Sequence, residues 1–379
     1  MNPIPNPLLK ALEERKAAHT LRQLSMERYA IDFYSNDYIG LAKNTTVRTK
    51  AQAILEQYSP QNGSTGSRLL SGNYPLIREA ETYLASFHAG ERGLIFNSGY
   101  DANVGIFSAI PQRGDVVLYD QYIHASIRDG LQLNRAQHFK FKHNSLEDLQ
   151  AKLKRFSPSA TTLYIATEAV FSMDGDTPDL PAMVALAQQY GAYIIIDEAH
   201  SVGVFGEKGA GLCQALGIAQ DIFLRLITFG KGIGAHGAIV LAQAEVIDYL
   251  VNFARSFIYT TAAAPESIAT LMASYVLLPE LKERGYLHEN IAFFREKAKV
   301  LSQEKGLHFI DSTSAIQGLI IPDSQRVKEM AARLQQRGMG VKPILSPTVP
   351  KGEERLRICL HSYNTKEEIE LLFQVISEA

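Results

Sequence analysis

The sequence predicts an α/β protein built on a large, doubly wound and mostly parallel sheet. Short apolar runs alternate with helical patterns between residues 93 and 241, which is typical of βαβ units. Two of these runs, 193–196 and 222–227, are rich in Ile and Leu and are closed by polar residues, as fully buried parallel strands are. After residue 280 the pattern changes to a long helix and a smaller set of α/β elements.

Apolar periodicity and end signals locate the elements along the chain. Helices are predicted over 8–21, 47–58, 75–88, 101–110, 145–155, 179–190, 265–278, 281–303, 325–337 and 365–377, and a further helix is predicted to start at 124–126. Strands are predicted over 31–34, 93–96, 115–120, 137–141, 162–166, 193–196, 222–227, 238–241, 315–321, 341–344 and 355–359. We therefore expect an N-terminal helix and arm (1–48), a large cofactor-binding domain (49–280) and a small C-terminal domain (281–379).

Composition restricts the classes of function. The 379 residues are 46% hydrophobic with a net charge of −2, which gives no electrostatic reason to expect nucleic acid or an anionic membrane as a partner. Cys213 and Cys359 form neither a disulfide framework nor a CxxC pair, as suits a reducing compartment. With no apolar signal-peptide core and no membrane-spanning run, we expect a cytoplasmic protein.

Polar residues follow the two buried runs at the point where each strand ends. Asp197 and His200 come after the first run, and Thr228 and Lys231 come after the second. Ligands of open α/β sheets bind outside the carboxyl ends of the strands. We therefore expect these four side chains to converge on one cleft.

This combination of side chains suits pyridoxal 5′-phosphate (PLP). The PLP aldehyde takes a lysine as a Schiff base, and the ring nitrogen takes an acidic partner. Lys231 is the candidate anchor, and Asp197 would keep the ring nitrogen protonated, since unit charges about 4 Å apart gain roughly 4 kcal/mol at an effective dielectric of 20. His200 would reach the phenolic oxygen and Thr228 the phosphate.

Each of these residues has an ordinary explanation when it is taken singly. The sequence Asp-Glu-Ala-His at 197–200 also occurs in helicases, although a Walker A loop is missing from this chain. An aspartate at a strand end is often a helix cap, and a Gly-Lys-Gly at 230–232 is usually a solvated turn. Their joint occurrence at two neighbouring strand ends favours the cofactor site.

Three further positions are candidates with two interpretations each. Ser98, Gly99 and Tyr100 join a strand to a helix start, and such a turn offers an anion site. Since this turn lacks the GxGxxG spacing of a dinucleotide site, we interpret the turn as a site for one phosphate. His124 is either a helix cap or a ring that stacks on the cofactor, and Arg357 is either a salt-bridge partner or a carboxylate clamp.

Together these motifs resemble the α-oxoamine synthases, which are PLP enzymes of the aspartate aminotransferase fold (fold type I). The resemblance covers nearly the whole chain, from about Leu12 to Leu372. The matching stretches are 35–41, 98–100, 102–103, 124–126, 170–176, 197–200, 228–232, 347–350 and 355–357. Residues 228–232, 253–255, 258–259, 311–312 and 314–317 are most similar to the members that use L-alanine and a pimeloyl thioester.

The resemblance implies a decarboxylative condensation of L-alanine with pimeloyl-CoA or a pimeloyl carrier protein. The products would be 8-amino-7-oxononanoate, CO2 and free thiol, in biotin biosynthesis. A glycine C-acetyltransferase (2-amino-3-ketobutyrate CoA ligase) or a serine palmitoyltransferase-like enzyme are alternatives within the family, and an aminotransferase is a more remote one. No GxGxxG joins a predicted strand to a predicted helix, since the one at 232–237 lies between two predicted strands, and this disfavours a nicotinamide oxidoreductase. The presence of Lys231 disfavours a non-catalytic family member.

The resemblance also implies site roles by position and a homodimer with active sites at its interface; it implies no metal ion. The catalytic residues would be Lys231, His124, Asp197 and His200. The cofactor would be bound by Ser98, Gly99, Tyr100, His124, Ser172, Asp197, His200, Thr228, Lys231 and, across the interface, Thr260 and Thr261. The substrates would contact Arg22, Asn36, Thr348 and Arg357.

Two positions depart from the family pattern. Ile77 stands where many relatives carry a histidine, and Asn364 replaces the histidine of a common Ala-x-His-Thr. Both lie where the choice of acyl group or amino acid could be set. Arg22, taken by itself, is a surface charge.

Overall fold

A computed structural model of the chain describes residues 4–18, 20–22, 24, 26, 28–58 and 61–378. Its strands are β1 (Ile31–Asp32), β2 (Arg92–Phe96), β3 (Val116–Asp120), β4 (Gln137–Phe141), β5 (Leu163–Glu168), β6 (Ala192–Asp197), β7 (Leu224–Thr228), β8 (Ala238–Ala242), β9 (His308–Phe309), β10 (Ile316–Ile320), β11 (Met339–Gly340), β12 (Lys342–Ile344) and β13 (Arg355–Cys359). Its helices are α1 (Asn6–Ala17), α2 (Thr45–Gln57), α3 (Pro75–Phe87), α4 (Gly99–Ala109), α5 (Ala125–Gln132), α6 (Leu146–Phe156), α7 (Leu180–Tyr190), α8 (Leu212–Ala215), α9 (Ala244–Phe253), α10 (Arg255–Ile258), α11 (Pro265–Leu277), α12 (Glu283–Lys305), α13 (Ser324–Gln336) and α14 (Lys366–Ser377).

The large sheet has the strand order β2–β8–β7–β6–β5–β3–β4. Strand β8 runs antiparallel to both of its neighbours, and the other pairs are parallel. This confirms the predicted fold class, a mostly parallel α/β sheet. Its strand ends bring the residues after β6 and β7 side by side.

Alternate side chains of the central strands enter two separate cores. Ile194 and Ile196 of β6 pack in a cluster with Leu149 of α6, whereas Ile195 packs in a cluster with Ile106 of α4. Successive strand residues point to opposite faces, so helices cover both faces of the sheet. Burying each of these side chains contributes about 1.5–3 kcal/mol, which explains the uninterrupted apolar runs.

The N-terminal arm is attached to the C-terminal part of the chain. Strand β1 pairs in parallel with β11, so that Ile31 faces Met339. Next to them, β12, β13, β10 and β9 form an antiparallel sheet in that order. The amide of Cys359 in β13 also donates to the carbonyl of Phe33 at 2.8 Å. The division into three domains stays a prediction, but this pairing places the arm beside the predicted small domain.

The first helix differs from its prediction. Helix α1 ends at Ala17 rather than at residue 21, and Leu8 and Leu12 on its predicted apolar side are exposed. Periodicity signals an apolar face, but it does not say whether the same chain covers that face. Helix α9 was missing from the predicted elements. Within the described ranges, no helix is both long and apolar enough to cross a lipid bilayer.

Candidate active site

Asp197 closes β6 with both carboxylate oxygens bonded. Oδ1 accepts from the amide of Ala199 at 2.9 Å, and Oδ2 accepts from Nδ2 of Asn103 at 2.9 Å. Asn103 is buried in α4 and was not among the predicted site residues. Two donors aimed at one carboxylate suit its ionised form, since that form only accepts.

Lys231 follows β7 and lies against His200. Its Nζ atom is 2.9 Å from Nε2 of His200. Burial lowers the pKa of Lys231, although the carboxylates of Asp197 and Glu168 oppose this shift. Burial also lowers the pKa of His200 well below its usual range, and the charge of Lys231 adds to the effect. The pair is therefore a neutral imidazole beside an amine that is more readily deprotonated than a surface lysine, as a nucleophilic lysine requires.

Glu168 is a site residue that the sequence reasoning missed. It ends β5 in register with Asp197, is buried, and accepts from the amide of His124 at 2.6 Å. Burial raises its pKa and the charge of Asp197 raises it further. Glu168 is thus more readily protonated than an exposed carboxyl, which reduces the negative charge beside Asp197. The strand-end rule that found Asp197 also applies to this position.

The turn after β2 and the end of β7 form an anion cradle. Ser98 caps α4 by accepting from the amide of Asp101 at 3.0 Å. A Cβ on Gly99 would lie 2.5 Å from Oγ1 of Thr228, so only a glycine lets this hydroxyl approach the helix start. A helix N-terminus with a hydroxyl beside it suits a phosphate. Tyr100 is exposed and contributes backbone here, since its phenol donates to Asp129 at 2.6 Å.

His124 caps α5, which was one of its two predicted interpretations. Nδ1 accepts from the amide of Ser126 at 3.3 Å and lies 2.7 Å from its hydroxyl. The ring is exposed and lines a cavity together with Arg22 and Thr348. Stacking of this ring on the cofactor stays a prediction.

Arg357 makes its contacts through neutral acceptors. Its Nε donates to the carbonyl of Ser172 at 2.6 Å, and Nη2 donates to Oδ1 of Asn36 at 2.9 Å. None of the ion pairs found among the described residues involves this guanidinium, which disfavours the salt-bridge interpretation. A buried guanidinium held by neutral acceptors suits a ligand carboxylate.

A cavity of about 390 Å³ collects other predicted residues. Its lining includes Arg22, His124, Ser172 and Thr348, among Tyr122, Ile123, Ala125, Arg128, Phe171, Met173, Asp174, Pro347, Val349, Pro350 and Arg355. Both residues predicted along the acyl-thioester path therefore share one cavity with His124.

The predicted interface threonines and the two family departures are not part of the lining of this cavity. Thr260 and Thr261 are bonded to Asn97 of their own chain, whose Nδ2 lies 3.1 Å from the Thr260 hydroxyl and 2.7 Å from the Thr261 carbonyl. Their reach to a partner's phosphate stays a prediction. Ile77 is buried in the core, and Asn364 accepts from the amide of His361 at 2.8 Å. Neither of these two family departures lines the cavity.

The side chains present fit PLP by their chemistry. The site offers an amine with a lowered pKa at Lys231, a doubly bonded carboxylate at Asp197 and a phosphate cradle that a Cβ at Gly99 would fill. These are the three groups that the aldehyde, the ring nitrogen and the phosphate of PLP require.

Comparison with known proteins agrees with this site. The family model for class I and II aminotransferases matches residues 29–376. An 8-amino-7-oxononanoate synthase from Emericella nidulans is 40% identical over 388 residues, covering 98% of this chain and 94% of the relative. An enzyme of the same name from Geobacter sulfurreducens is 38% identical, with 96% and 92% covered.

Solved structures have the same fold. Serine palmitoyltransferase from Sphingomonas wittichii matches with a TM-score of 0.88 at 27% identity, covering 98% of this chain and 96% of that one. 8-Amino-7-oxononanoate synthase from Francisella tularensis matches with a TM-score of 0.78 at 29% identity, covering 92% and 97%. A further serine palmitoyltransferase, also with a TM-score of 0.88, was solved with PLP. The chain therefore belongs to the class I and II aminotransferase family and, within it, to the PLP-dependent α-oxoamine synthases.

Proposed function

We propose that the chain catalyses the decarboxylative condensation of L-alanine with a pimeloyl thioester. The products are 8-amino-7-oxononanoate, CO2 and free thiol, and the reaction serves biotin biosynthesis in the cytoplasm. Relatives at 38–40% identity along nearly the whole chain carry that enzyme name. The observation that carries the proposal is the cavity that unites Arg22 and Thr348 with Ser172, whose carbonyl binds Arg357.

The chain's own groups divide the work at the cofactor. PLP, when bound, withdraws electrons from the substrate α-carbon. Lys231 would hold the cofactor covalently, and its amine, once displaced by the amino acid, would move the α-proton. Asp197 keeps the ring nitrogen protonated, and His200 contacts the phenolic oxygen. The amides at Ser98, Gly99 and Tyr100 and the hydroxyl of Thr228 hold the phosphate.

Other groups select and orient the substrates. Arg357 and Asn36 bind the amino acid carboxylate, because the guanidinium faces neutral acceptors that a charged ligand outcompetes. His124 covers the cofactor ring and Ser172 lies beside it. Arg22 and Thr348 line the approach of the acyl thioester.

In a homodimer, Thr260 and Thr261 complete the phosphate site of the partner subunit. Both threonines lie next to Asn97 at the end of β2, which places them beside the turn that leads into α4. Within their own chain, the phosphate site is formed by Gly99 and Thr228, which lie against each other.

A serine palmitoyltransferase-like activity is the second candidate. The serine palmitoyltransferase structures match with a higher TM-score than the Francisella tularensis enzyme, 0.88 against 0.78. The sequence identity favours the first proposal, since it is 27% for those structures and 40% for the Emericella nidulans relative.

Thiol release separates these activities. Purified holoenzyme is assayed with pimeloyl-CoA, acetyl-CoA and palmitoyl-CoA, each with L-alanine, glycine and L-serine. We expect the pair of pimeloyl-CoA and L-alanine to give the highest kcat/KM, by at least about tenfold, since a misfitting methylene or hydroxyl costs roughly 1–3 kcal/mol. A faster reaction with glycine and acetyl-CoA, or with serine and palmitoyl-CoA, overturns the proposal. Amino transfer to a keto acid without thiol release identifies an aminotransferase.

A further inference from the structure

A continuous chain of hydrogen bonds joins the lysine to the predicted carboxylate clamp. Nζ of Lys231 lies 2.9 Å from Nε2 of His200, and Nδ1 of His200 lies 2.6 Å from the hydroxyl of Tyr38. That hydroxyl lies 3.1 Å from Oδ1 of Asn36, which accepts from Nη2 of Arg357 at 2.9 Å. Tyr38, which is fully buried, is thus the central member of the chain.

The donors of this chain can be assigned from its ends. Arg357 only donates, so Oδ1 of Asn36 is oriented towards it as an acceptor. Oδ1 has a second lone pair, and the hydroxyl of Tyr38 can donate into it. The oxygen of Tyr38 then accepts from Nδ1–H of His200. A neutral imidazole has one N–H, so Nε2 carries a lone pair and accepts from Lys231.

The hydroxyl of Tyr38 has a second acceptor within reach. If it turns from Asn36 to Nδ1 of His200, the imidazole proton must sit on Nε2, which becomes a donor. Burial raises the pKa of Tyr38 above its usual range, and burial lowers the pKa of His200. Tyr38 therefore keeps its proton and His200 stays neutral in both arrangements. The two differ only in the direction of the Tyr38 hydroxyl and in which ring nitrogen of His200 carries the proton.

The charges around His200 disfavour its protonation, and they leave both neutral arrangements open. Lys231, Arg357 and His124 all disfavour a cationic imidazole, whereas Asp197 and Glu168 raise the pKa of Lys231 against the effect of its burial. The direction of the Tyr38 hydroxyl is the remaining variable.

We propose that Tyr38 is a positioning residue that sets the tautomer of His200. With a free Lys231 amine, Tyr38 donates to Asn36 and Nε2 accepts from the amine. With PLP bound, Tyr38 donates to Nδ1 and Nε2 donates to the deprotonated phenolic oxygen. The inference rests on the proposed contact between His200 and that oxygen, but not on the identity of the substrates.

The test replaces Tyr38 by phenylalanine, which keeps the ring and removes the hydroxyl. Tyr275→Phe is a matched control, because Tyr275 is also fully buried and its hydroxyl lies 2.9 Å from Nε2 of His88. The visible absorption of bound PLP is titrated with pH, without substrates. We expect Tyr38→Phe to raise the midpoint pH of this absorption change by up to about one pH unit, since a lost hydrogen bond is worth roughly 0.5–1.5 kcal/mol. The control should titrate like the wild type.

A second variant keeps the inference testable if Tyr38→Phe does not fold. Asn36→Ala removes the competing acceptor, so the hydroxyl of Tyr38 should turn permanently to His200. In the ¹⁵N spectrum of the imidazole, PLP-free wild type should show the proton on Nδ1, and Asn36→Ala should show it on Nε2. The inference is overturned if folded Tyr38→Phe has the same midpoint pH of PLP absorption as the wild type. It is also overturned if His200 has the same tautomer in the PLP-free wild type and in Asn36→Ala. Because neither readout uses an amino acid or a thioester, both are independent of the substrate assay.

Discussion

The side-chain amide of Asn103 donates to Oδ2 of Asp197 at 2.9 Å. The same amide lies 3.0 Å from the hydroxyl of Ser126, which lies 2.7 Å from Nδ1 of His124. The carboxylate at the end of β6 and the imidazole at the start of α5 are therefore oriented by one hydrogen-bonded network. Neutral groups hold both, so the charge of Asp197 is left available to a ligand.

Asp197→Asn should preserve the fold and remove most of the activity. The replacement has the same size and can still accept one hydrogen bond, but it lacks the charge that pairs with a protonated ring nitrogen. Loss of roughly 4 kcal/mol corresponds to about a 10³-fold fall in kcat. Thermal unfolding should change little by comparison, and unchanged kinetics would count against the electron-withdrawing role.

Lys231→Ala should abolish turnover and covalent attachment of PLP. Borohydride reduces a Schiff base to a stable amine, so the wild type should carry the cofactor on the peptide containing residue 231 when it is analysed by mass spectrometry. Lys208→Ala, which removes an exposed lysine, is the control and should be labelled like the wild type. A labelled Lys231→Ala protein would show that another lysine is the anchor.

Gly99→Ala should weaken PLP binding. The added methyl would sit 2.5 Å from Oγ1 of Thr228, so the hydroxyl must move away from the cradle. Loss of one hydrogen bond to phosphate corresponds to about a tenfold rise in Kd, measured by fluorescence on titration with PLP. Gly63→Ala is the control, because a Cβ there meets no atom within 4 Å. Equal affinities in the two variants would exclude the cradle.

Arg22→Ala should raise KM for the thioester about tenfold and leave KM for L-alanine unchanged. Arg22 lines the cavity with Thr348, whereas the amino acid carboxylate is assigned to Arg357, and one charge-assisted hydrogen bond is worth about 1.5–3 kcal/mol. Arg15→Ala in α1 is a control that should affect neither constant. An equal rise in both KM values would contradict separate subsites.

His143→Gln should remove a pH-dependent part of the stability. Nδ1 of His143 lies 2.9 Å from Asp120 and Nε2 lies 2.8 Å from Asp176. Burial lowers the pKa of His143, but the hydrogen bonds to the two carboxylates outweigh burial and raise the pKa to about 9. A raised histidine pKa stabilises the fold fully below about pH 6.5, and this contribution is lost as the pH rises through about 9.

The measurement is denaturant unfolding at pH 6 and at pH 9.5. His143→Gln should be less stable than the wild type by up to about 3 kcal/mol at the lower pH and nearly equal to it at the higher pH. A difference that does not depend on pH would show that lost packing, rather than charge, explains the destabilisation.

Much of the fold could be predicted because the central strands are buried on both faces. Strands β6 and β7 end at Asp197 and Thr228, one residue beyond the predicted runs. The more exposed edge strand β4 also has its predicted bounds, 137–141. The short strands β9 and β11 were not separately predicted. They are too short to show periodicity, and β11 is a strand only because β1 pairs with it.

The predicted site residues were those with recognisable chemistry. Lys231 and Asp197 are ionisable and follow apolar runs, so the strand-end rule finds them. Asn103 and Tyr38 lie within a helix and a turn, and their roles depend on distant partners, Asp197 and His200. Local patterns do not contain such long-range contacts, which is why these two residues were missed.

The attachment of the N-terminal arm to the C-terminal part of the chain has a consequence for synthesis of the protein. The carbonyl of Tyr38 accepts from the amide of Ser362 at 2.8 Å, and Phe33 is bound in the same way by Cys359. A growing polypeptide therefore contains Lys231 well before it contains Ser362 and Cys359, which bind the backbone of this arm. The backbone contacts that hold the arm beside the site can therefore form only after β13 and Ser362 have been synthesised.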